Sequence, residues 1–252
     1  MLLEDKNAVI YGGGGAIGSA VARAFAREGA TVFLAGRTRG KLDEVADGIR
    51  SAGGAAETAQ VDALDEKAVD AHADSVAAEA GGIDISFNLI THGDAQGTPM
   101  VEMSLEDYVR PVVTAVSTIF LTARAAARHM IRRRSGVILI FGGSGPPLRG
   151  YNLGGLQVAF EALESMRRQL ASELGPHGVR AVTLRTGGVP ETIPEGFEGR
   201  ERIVGDIEKM TMLGRAATIE DVGNVAAFVA SDRARTMTAA TANISCGALI
   251  DW

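Results

Sequence analysis

A glycine-rich turn near the start of the chain is the segment whose residue types and spacing most directly predict chemistry. The run Asn7-Ala-Val-Ile-Tyr-Gly-Gly-Gly-Gly-Ala-Ile-Gly18 joins an apolar strand to a helical pattern. Glycines let a backbone turn sharply and approach a pyrophosphate, whose charge is met by free N–H groups and by the positive end of the following helix. The turn predicts a dinucleotide site; a purely structural turn is the alternative. The predicted ligand residues are Gly12, Gly14, Gly15, Ile17 and Gly18.

Composition narrows the class of protein. The chain has 252 residues, of which 46% are hydrophobic and 22% are charged, which is enough apolar material for one large α/β domain. The balance of 25 Lys and Arg against 31 Asp and Glu gives a net charge of −6. Because nucleic-acid binding needs a basic stripe, we expect no nucleic-acid partner.

The same survey predicts a cytoplasmic protein with no membrane partner. Cys246 is the one cysteine of the sequence and can form no internal disulfide. The opening Met-Leu-Leu-Glu-Asp-Lys lacks the apolar core of a signal peptide. Charged residues interrupt each apolar run before it reaches the ~18 residues that a membrane span needs.

Short apolar runs alternate with stretches of helical periodicity along the whole chain. The predicted strands are Ala8–Tyr11, Thr31–Ala35, Ala56–Val61, Ile83–Leu89, Val137–Phe141, Val179–Leu184 and Ala240–Ile244. The predicted helices are Ala16–Glu28, Arg39–Ala52, Glu66–Glu79, Leu105–Arg134, Leu153–Leu174 and Ile219–Ala230. This order predicts an α/β protein, a single-domain Rossmann fold over residues 1–252, with a doubly wound, seven-stranded parallel sheet and helices on both faces. Ligands of such sheets bind beyond the carboxyl ends of the strands.

One connection is long enough to have a role of its own. The segment Gly187–Gly214 contains Pro190, Pro194 and a mixed polar pattern, and it exceeds the usual length of a loop in a compact domain. We interpret it as a mobile substrate lid, with a surface excursion as the alternative. Its Ile-Pro-Glu-Gly-Phe and Ile-Val runs favour a partly apolar small-molecule ligand.

Several segments in a fixed order give the chain a family resemblance. The glycine-rich turn, Asp62 after the third strand and Asn88 at the end of the fourth are followed by Glu173-Leu-Gly-Pro-His-Gly-Val-Arg180 and by Leu213-Gly-Arg-Ala-Ala-Thr-Ile-Glu-Asp-Val222. In this order they resemble the short-chain dehydrogenase/reductase family over residues 3–250. The resemblance implies a nicotinamide coenzyme and a small-molecule substrate.

The resemblance assigns further coenzyme contacts. The glycine turn departs from the family in one position, where Ala16 replaces the middle glycine. Asp62, followed by Ala63, resembles the residue that meets the adenine amine. The segment Gly187-Gly-Val-Pro-Glu-Thr192 resembles the family's P-G-x-x-x-T, whose threonine reaches the coenzyme carboxamide.

The end of the second strand bears on which coenzyme is used. An NAD enzyme places a carboxylate there for the ribose hydroxyls, whereas this chain has Gly36 and Arg37. No acid repels a 2′-phosphate and a guanidinium can hold one, so we expect NADP(H) in preference to NAD(H). A plainly solvated arginine is the alternative.

The family's catalytic residues are missing from the positions where the resemblance places them. Anchoring on Leu170-Ala-Ser-Glu-Leu174 puts Phe160 at the lysine position and Leu156 at the tyrosine position. Gly143 falls at the serine position and Ala115 at the asparagine position. The usual mechanism uses the lysine ammonium to bring a phenol pKa from ~10 toward neutrality. This chain has no lysine in that region; its lysines are Lys6, Lys41, Lys67 and Lys209.

Four other residues are candidates for the chemistry. Tyr151, before the helix that should carry the tyrosine, is the preferred proton donor. Ser144 could bind a substrate oxygen, and His92 could act as acid or base. Arg185, at the end of the sixth strand, could hold a carboxylate or a developing oxyanion. Each has a structural alternative. Tyr151 packs its ring at the start of the helix, Ser144 stabilises a turn, His92 is packed or lies at the surface, and Arg185 pairs with a lid carboxylate such as Glu191.

Two functions are consistent with a chain that keeps the predicted coenzyme site but lacks the family's catalytic residues. The first is an NADP(H)-dependent oxidoreductase that reduces a carbonyl or an activated C=C or C=N bond. The second is a redox-silent protein that keeps nucleotide binding and acts as a sensor, a scaffold or a non-redox catalyst. The apolar faces of the two longest predicted helices also favour a homodimer or homotetramer.

Overall fold

The computed structural model describes residues 1–143, 145 and 151–250. In these residues, seven strands alternate with seven α-helices. The strands are β1 (Asn7–Tyr11), β2 (Thr31–Gly36), β3 (Ala55–Gln60), β4 (Ile85–Asn88), β5 (Gly136–Gly142), β6 (Val179–Arg185) and β7 (Ala240–Asn243). The helices are α1 (Ala16–Arg27), α2 (Arg39–Ser51), α3 (Glu66–Ala80), α4 (Leu105–Arg133), α5 (Gly155–Leu174), α6 (Arg200–Met210) and α7 (Ile219–Ala230).

All seven strands form one parallel sheet in the order β3-β2-β1-β4-β5-β6-β7. Tyr11 at the end of β1 is in register with Ala35 of β2 on one side and with Asn88 of β4 on the other. The strand order reverses between β1 and β4, which opens a crevice beyond their carboxyl ends. The predicted doubly wound Rossmann fold is confirmed.

Alternation along the strands divides the core into two layers. In β1, Ala8 and Ile10 pack with α1, α2 and α7, whereas Val9 and Tyr11 pack with α3, α4 and α5. Because both faces of the sheet are covered, its central strands are almost continuously apolar, whereas the edge strands β3 and β7 are more polar. The carboxyl edge of the sheet is therefore the part from which polar groups can meet a ligand.

Helix α4 is the one helix in the described ranges whose length and hydropathy would allow it to cross a membrane. Its charged residues nevertheless pair with α3: Arg124 and Arg128 each lie 2.9 Å from Asp70, and His129 lies 2.8 Å from Asp74. Such inter-helix pairing, with 44% of the apolar window buried, is typical of a helix in the core of a folded domain.

The predicted boundaries agree with the structure to within a few residues, apart from the predicted lid. Here the structure contains the unpredicted helix α6 and a short 3-10 helix, Pro190–Thr192. Ile203, Ile207 and Met210 carry the helical spacing of α6. Gly205 and the charged residues around it weaken the periodic signal in the sequence.

Candidate active site at the carboxyl edge of the sheet

Three connected clefts lie beyond the carboxyl ends of the strands. The outer cleft, about 390 Å³, lies by the turns after β1, β2 and β3 and is lined by Gly12, Gly14, Gly15, Arg37, Lys41, Asp62, Ala63 and residues 89–93. The central cleft, about 690 Å³, is lined by residues 15–18, Asn88, His92, Leu156, Phe160, Thr192 and others. The inner cleft, about 360 Å³, lies under α6 and is lined by Phe141, Gly143, Tyr151, Phe160, Gly187, Thr192, Ile207 and others.

Two glycines make the turn after β1 possible. Gly12 has φ +81°, and a Cβ there would lie 2.5 Å from the carbonyl oxygen of Leu89. A Cβ on Gly18 would lie 2.2 Å from the carbonyl oxygen of Gly12. Both distances are below any real contact. The turn therefore approaches the segment after β4 only because Gly12 has no side chain, and α1 approaches the turn only because Gly18 has none.

The first turn of α1 faces the clefts without a side-chain cap. Gly15 is the N-cap, no side chain accepts from the first amides, and no acidic residue lies in the first turn. By contrast, α3 is capped by Asp65, whose carboxylate accepts from the amides of Lys67 and Ala68. The exposed amides and the positive end of α1 make this turn suited to an anion.

Two cations at the outer cleft have no carboxylate partner. Within the described part of the chain, no Asp or Glu oxygen lies within 4.0 Å of the guanidinium of Arg37 or the ammonium of Lys41. Arg39, between them in sequence, pairs with Asp43 at 2.9 Å and does not line the cleft. The outer cleft therefore offers positive charge to a ligand.

The carboxylate of this cleft, Asp62, follows β3 and accepts a hydrogen bond from the amide of Leu64 at 3.0 Å. Asn88 is buried at the central cleft. Its amide donates to Thr122 Oγ1 at 3.1 Å and its Oδ1 accepts from the amide of Ile90 at 3.0 Å. Asn88 thus fixes the loop that carries His92.

A buried tyrosine supports the turn from below. The hydroxyl of Tyr11 lies 3.4 Å from Nδ1 of His72 on α3, and the two rings meet edge to face. Burial lowers the pKa of His72 to about 4, so its imidazole is neutral. Burial, helped by Asp70, raises the pKa of Tyr11 above its usual range.

The four positions of the expected catalytic residues form an apolar patch. The Phe160 ring is so close to Gly143 that a Cβ there would lie 3.1 Å from it. Ala115 is fully buried and Leu156 nearly so. None of these side chains can exchange a proton.

His92 lies against this patch. Its ring meets the Phe160 ring edge to face, with centroids 5.9 Å apart, and it is only 9% exposed. Burial lowers the pKa of His92, an effect that the nearby Asp94 only partly offsets. The imidazole is therefore neutral near pH 7.

Tyr151 lines the inner cleft and is tied to the predicted lid. Its hydroxyl donates to Oδ2 of Asp206 on α6 at 3.3 Å. Burial, followed by the charge of Asp206, raises the pKa of Tyr151. Thr192, which lines the central and inner clefts, donates to the carbonyl of Val189 at 2.7 Å, while Gly187 lies in the inner wall.

Two predicted catalytic residues do not join this group. Arg185 lines none of the three clefts. The alternation of β6 instead places it on the face of Val179, which packs against α3, α4 and α5. The alternative partner, Glu191, accepts from the amide of Ile219 at 2.7 Å. Ser144 lies outside the described residues.

Comparisons with known proteins agree with the geometry. Residues 14–248 match the family model described as "Enoyl-(Acyl carrier protein) reductase". The meso-2,3-butanediol dehydrogenase of Serratia marcescens is 30% identical over 258 residues, covering 98% of this chain and 96% of that protein. A short-chain type dehydrogenase/reductase from Mycobacterium ulcerans superposes with a TM-score of 0.90 and 25% identity, covering 98% of this chain and 91% of that one.

The chain belongs to the short-chain dehydrogenase/reductase family. Another relative, the gluconate 5-dehydrogenase of Gluconobacter oxydans, is 28% identical over 229 residues, 91% of this chain and 89% of that protein. The family consists of oxidoreductases that act on small molecules and are typically oligomeric.

Membership implies a nicotinamide dinucleotide as the coenzyme. The residues present fit such a group. A Cβ on Gly12 or Gly18 would fill the cradle, which is the glycine-rich turn after β1 together with the first turn of α1. The amides of that first turn have no side-chain cap. Arg37 and Lys41, which have no carboxylate partner among the described residues, line the outer cleft. Within the described residues, no group of three His, Cys, Asp or Glu side chains could hold a metal ion.

Sequence reasoning missed several residues of this short-chain dehydrogenase/reductase site. Lys41 lies in the first turn of α2, just after Arg37 and Thr38, and its closeness in sequence to Arg37 could have identified it. Arg110, Thr114 and Thr118, from α4, also line the outer cleft at intervals of four. Leu249 of the inner cleft is brought there by tertiary packing alone, for which the sequence has no local signal.

Proposed function

We propose that this protein is an NADP(H)-dependent oxidoreductase that reduces a carbonyl, or an activated C=C or C=N bond, of a small, uncharged and largely apolar molecule. The observation that carries the proposal is the series of three connected clefts. Arg37 and Lys41, without a carboxylate partner among the described residues, line the outer cleft, and uncharged residues line the inner cleft. The bound coenzyme would supply the hydride.

The preference for NADP(H) rests on the outer cleft. Gly36 ends β2, and Arg37 and Thr38 follow it, without a carboxylate among them, so none of these three residues repels a 2′-phosphate. Arg37 and Lys41 together match a dianionic group better than a single cation does. Asp62, after the neighbouring strand β3, is left to bind the adenine.

The substrate class rests on the inner cleft. Among the described residues that line it, none is Asp, Glu, Lys, Arg or His. An anionic substrate would lose its hydration there without gaining a counter-charge. Gln96, Tyr151, Gln157 and Thr186 supply a few polar contacts, which suit a neutral molecule with one or two oxygen atoms.

Tyr151 is the proton donor that this cleft favours. It lines the same cavity as Gly143 and Phe160, and its raised pKa keeps the phenol protonated at neutral pH. A protonated phenol can donate during reduction but is a poor base for oxidation. Thr192 and Gly187 would contact the coenzyme, while Ser144 and Arg185 have no support from the described geometry for their proposed catalytic roles.

The redox-silent alternative is favoured by a specific observation. The apolar patch of Phe160, Leu156, Gly143 and Ala115 lies where the family resemblance expects proton transfer. A protein of this kind would bind the coenzyme and leave it unchanged.

An assembly of two or four copies in the cytoplasm completes the proposal. On α4, Leu105, Val109, Val113 and Phe120 are 78%, 38%, 54% and 50% exposed. So many large apolar side chains along one helix favour contact with a second copy. The mass in solution, measured by light scattering, tests this part, and a monomer at micromolar concentration would contradict it.

Binding and turnover are measured separately to test the main proposal. Calorimetry should detect NADPH binding tighter than NADH binding. The absorbance of NADPH should then fall with at least one member of a panel of cyclic ketones, enones and imines. Binding without turnover on the whole panel supports the redox-silent alternative, and no binding of either coenzyme refutes both.

A further inference from the structure

His92 differs from the two other histidines that pack on this half of the protein. His72 has Tyr11 as a hydrogen-bond partner, and His129 has Asp74. In the part of the chain that the structure describes, no protein group lies within hydrogen-bond distance of either ring nitrogen of His92. The imidazole is 91% buried, yet neither ring nitrogen is among the fully buried side-chain atoms that lack a hydrogen-bond partner, so both nitrogens are accessible to a ligand in the clefts that the ring lines.

The position of His92 restricts what that ligand can be. It lines both the outer and the central cleft, as do Gly15 and residues 89–91. An anion bound at the first turn of α1 would therefore lie next to it. The part of a dinucleotide that follows its pyrophosphate, away from the adenosine, is the second ribose.

Two other polar side chains of the central cleft, those of Asn88 and Thr192, are already engaged. The amide of Asn88 bonds Thr122 and the amide of Ile90, and the Thr192 hydroxyl donates to Val189. Phe160, at the position of the expected lysine, offers no hydrogen bond. A neutral imidazole has one N–H donor and one acceptor nitrogen, which suits the two adjacent hydroxyl groups of a ribose.

We infer that His92 binds the hydroxyl groups of the nicotinamide ribose, and so supplies the polar contact that Phe160 cannot make. This inference rests on the proposed function, because it requires the coenzyme to occupy the clefts. The edge-to-face contact with Phe160 holds the ring in place. His92 is thus a coenzyme-binding residue, and the acid or base role predicted from the sequence is not needed.

Three probes of increasing length test the inference by calorimetry: 2′,5′-ADP, 2′-phospho-ADP-ribose and NADPH. The first lacks the second ribose, the second contains it without nicotinamide, and the third is complete. In His92→Phe we expect 2′-phospho-ADP-ribose and NADPH to bind about 5- to 20-fold more weakly, with 2′,5′-ADP unchanged. The unchanged probe also reports that the variant is folded.

Two further variants sharpen the test. His92→Gln keeps a neutral donor and acceptor and should recover most of the lost affinity for NADPH. His177→Phe makes the same change in the 3-10 helix Gly175–His177, before β6, and should leave all three affinities unchanged.

Each other result overturns the inference. Equal NADPH affinity in the wild type and His92→Phe would show that the ribose is held elsewhere, while the proposed coenzyme site would stand. Equal weakening of all three probes would show that His92 acts on the whole cradle. Failure of the wild type to bind 2′,5′-ADP or NADPH would refute the proposed function itself.

Discussion

The cradle around α1 and the apolar patch around Phe160 belong to one continuous groove but depend on different parts of the chain. The cradle works through backbone: the close approach of Gly18 to Gly12 and the uncapped amides after Gly15. Proton transfer in this family depends on side-chain groups, and at the patch those are absent from the assigned positions. A site built from backbone groups is expected to tolerate Ala16 in place of a glycine, whereas chemistry that depends on one side chain is expected to be lost when that side chain is replaced.

The largest expected effect is on the cradle. Gly18→Val places a branched side chain where even a Cβ would lie 2.2 Å from the Gly12 carbonyl oxygen. The turn must open, and we expect NADPH affinity to fall more than about 100-fold by calorimetry, or about 3 kcal/mol. Gly40→Ala, in α2, is the matched control because a Cβ there meets nothing within 4 Å. Near-normal binding by Gly18→Val would show that the cradle is not the site.

The second-largest expected effect tests whether the region around the apolar patch keeps one proton donor, Tyr151. If Tyr151 is the acid, Tyr151→Phe should lower kcat about 100-fold, with NADPH affinity unchanged. Asp206→Asn removes the charge at the other end of the 3.3 Å hydrogen bond and should change kcat only a few-fold. Equal small losses in both variants would assign Tyr151 to holding α6 instead.

A moderate effect on coenzyme affinity is expected at Arg37 and Lys41, which we propose distinguish NADPH from NADH. The double variant Arg37→Gln/Lys41→Gln should bind NADPH about 30-fold more weakly, about 2 kcal/mol, and should bind NADH with unchanged affinity. Arg39→Gln is the control, because that guanidinium pairs with Asp43 on the surface. Equal losses for the two coenzymes would mean that these cations do not contact a 2′-phosphate.

The smallest expected effect is on the free energy of unfolding, through His72, which contacts Tyr11 below the cradle. The folded-state pKa of His72 is about 4, below the unfolded value of 6.5, so the unfolded chain takes up the proton first. The stability that His72 supplies is therefore present above pH 6.5 and is lost as the pH falls toward 4. Between pH 7 and pH 5, chemical denaturation should show the wild type losing about 1–2 kcal/mol more than His72→Gln. Identical pH profiles would contradict this.

The sequence predicted the sheet and the cradle because both leave local signals. An apolar strand, four glycines and a helical pattern indicate the turn at Gly12, and the alternation of strands and helices indicates a parallel sheet. Helix α6 was missed because Gly205 interrupts a weak amphipathic pattern. Its contacts, such as that of Asp206 with Tyr151 at a separation of 55 residues, depend on tertiary packing.

Arg185 stays a predicted site residue, although it lines none of the three clefts. A strand end was taken to point its last side chain at the ligand, but the strict alternation along β6 decides which face the side chain occupies. The residue that enters the inner cleft is the next one, Thr186. A shift of one residue in a strand changes the face, and sequence boundaries are not that accurate.

The ring of Phe160 has a consequence for how this protein could change over evolutionary time. A lysine introduced at that position alone would bring its ammonium against Gly143 and His92 with no phenol at Leu156 to serve, and at a cost in solvation. This single change would be a loss with no gain in rate. New reactivity is therefore more accessible through the residues beneath α6 than through one substitution at Phe160.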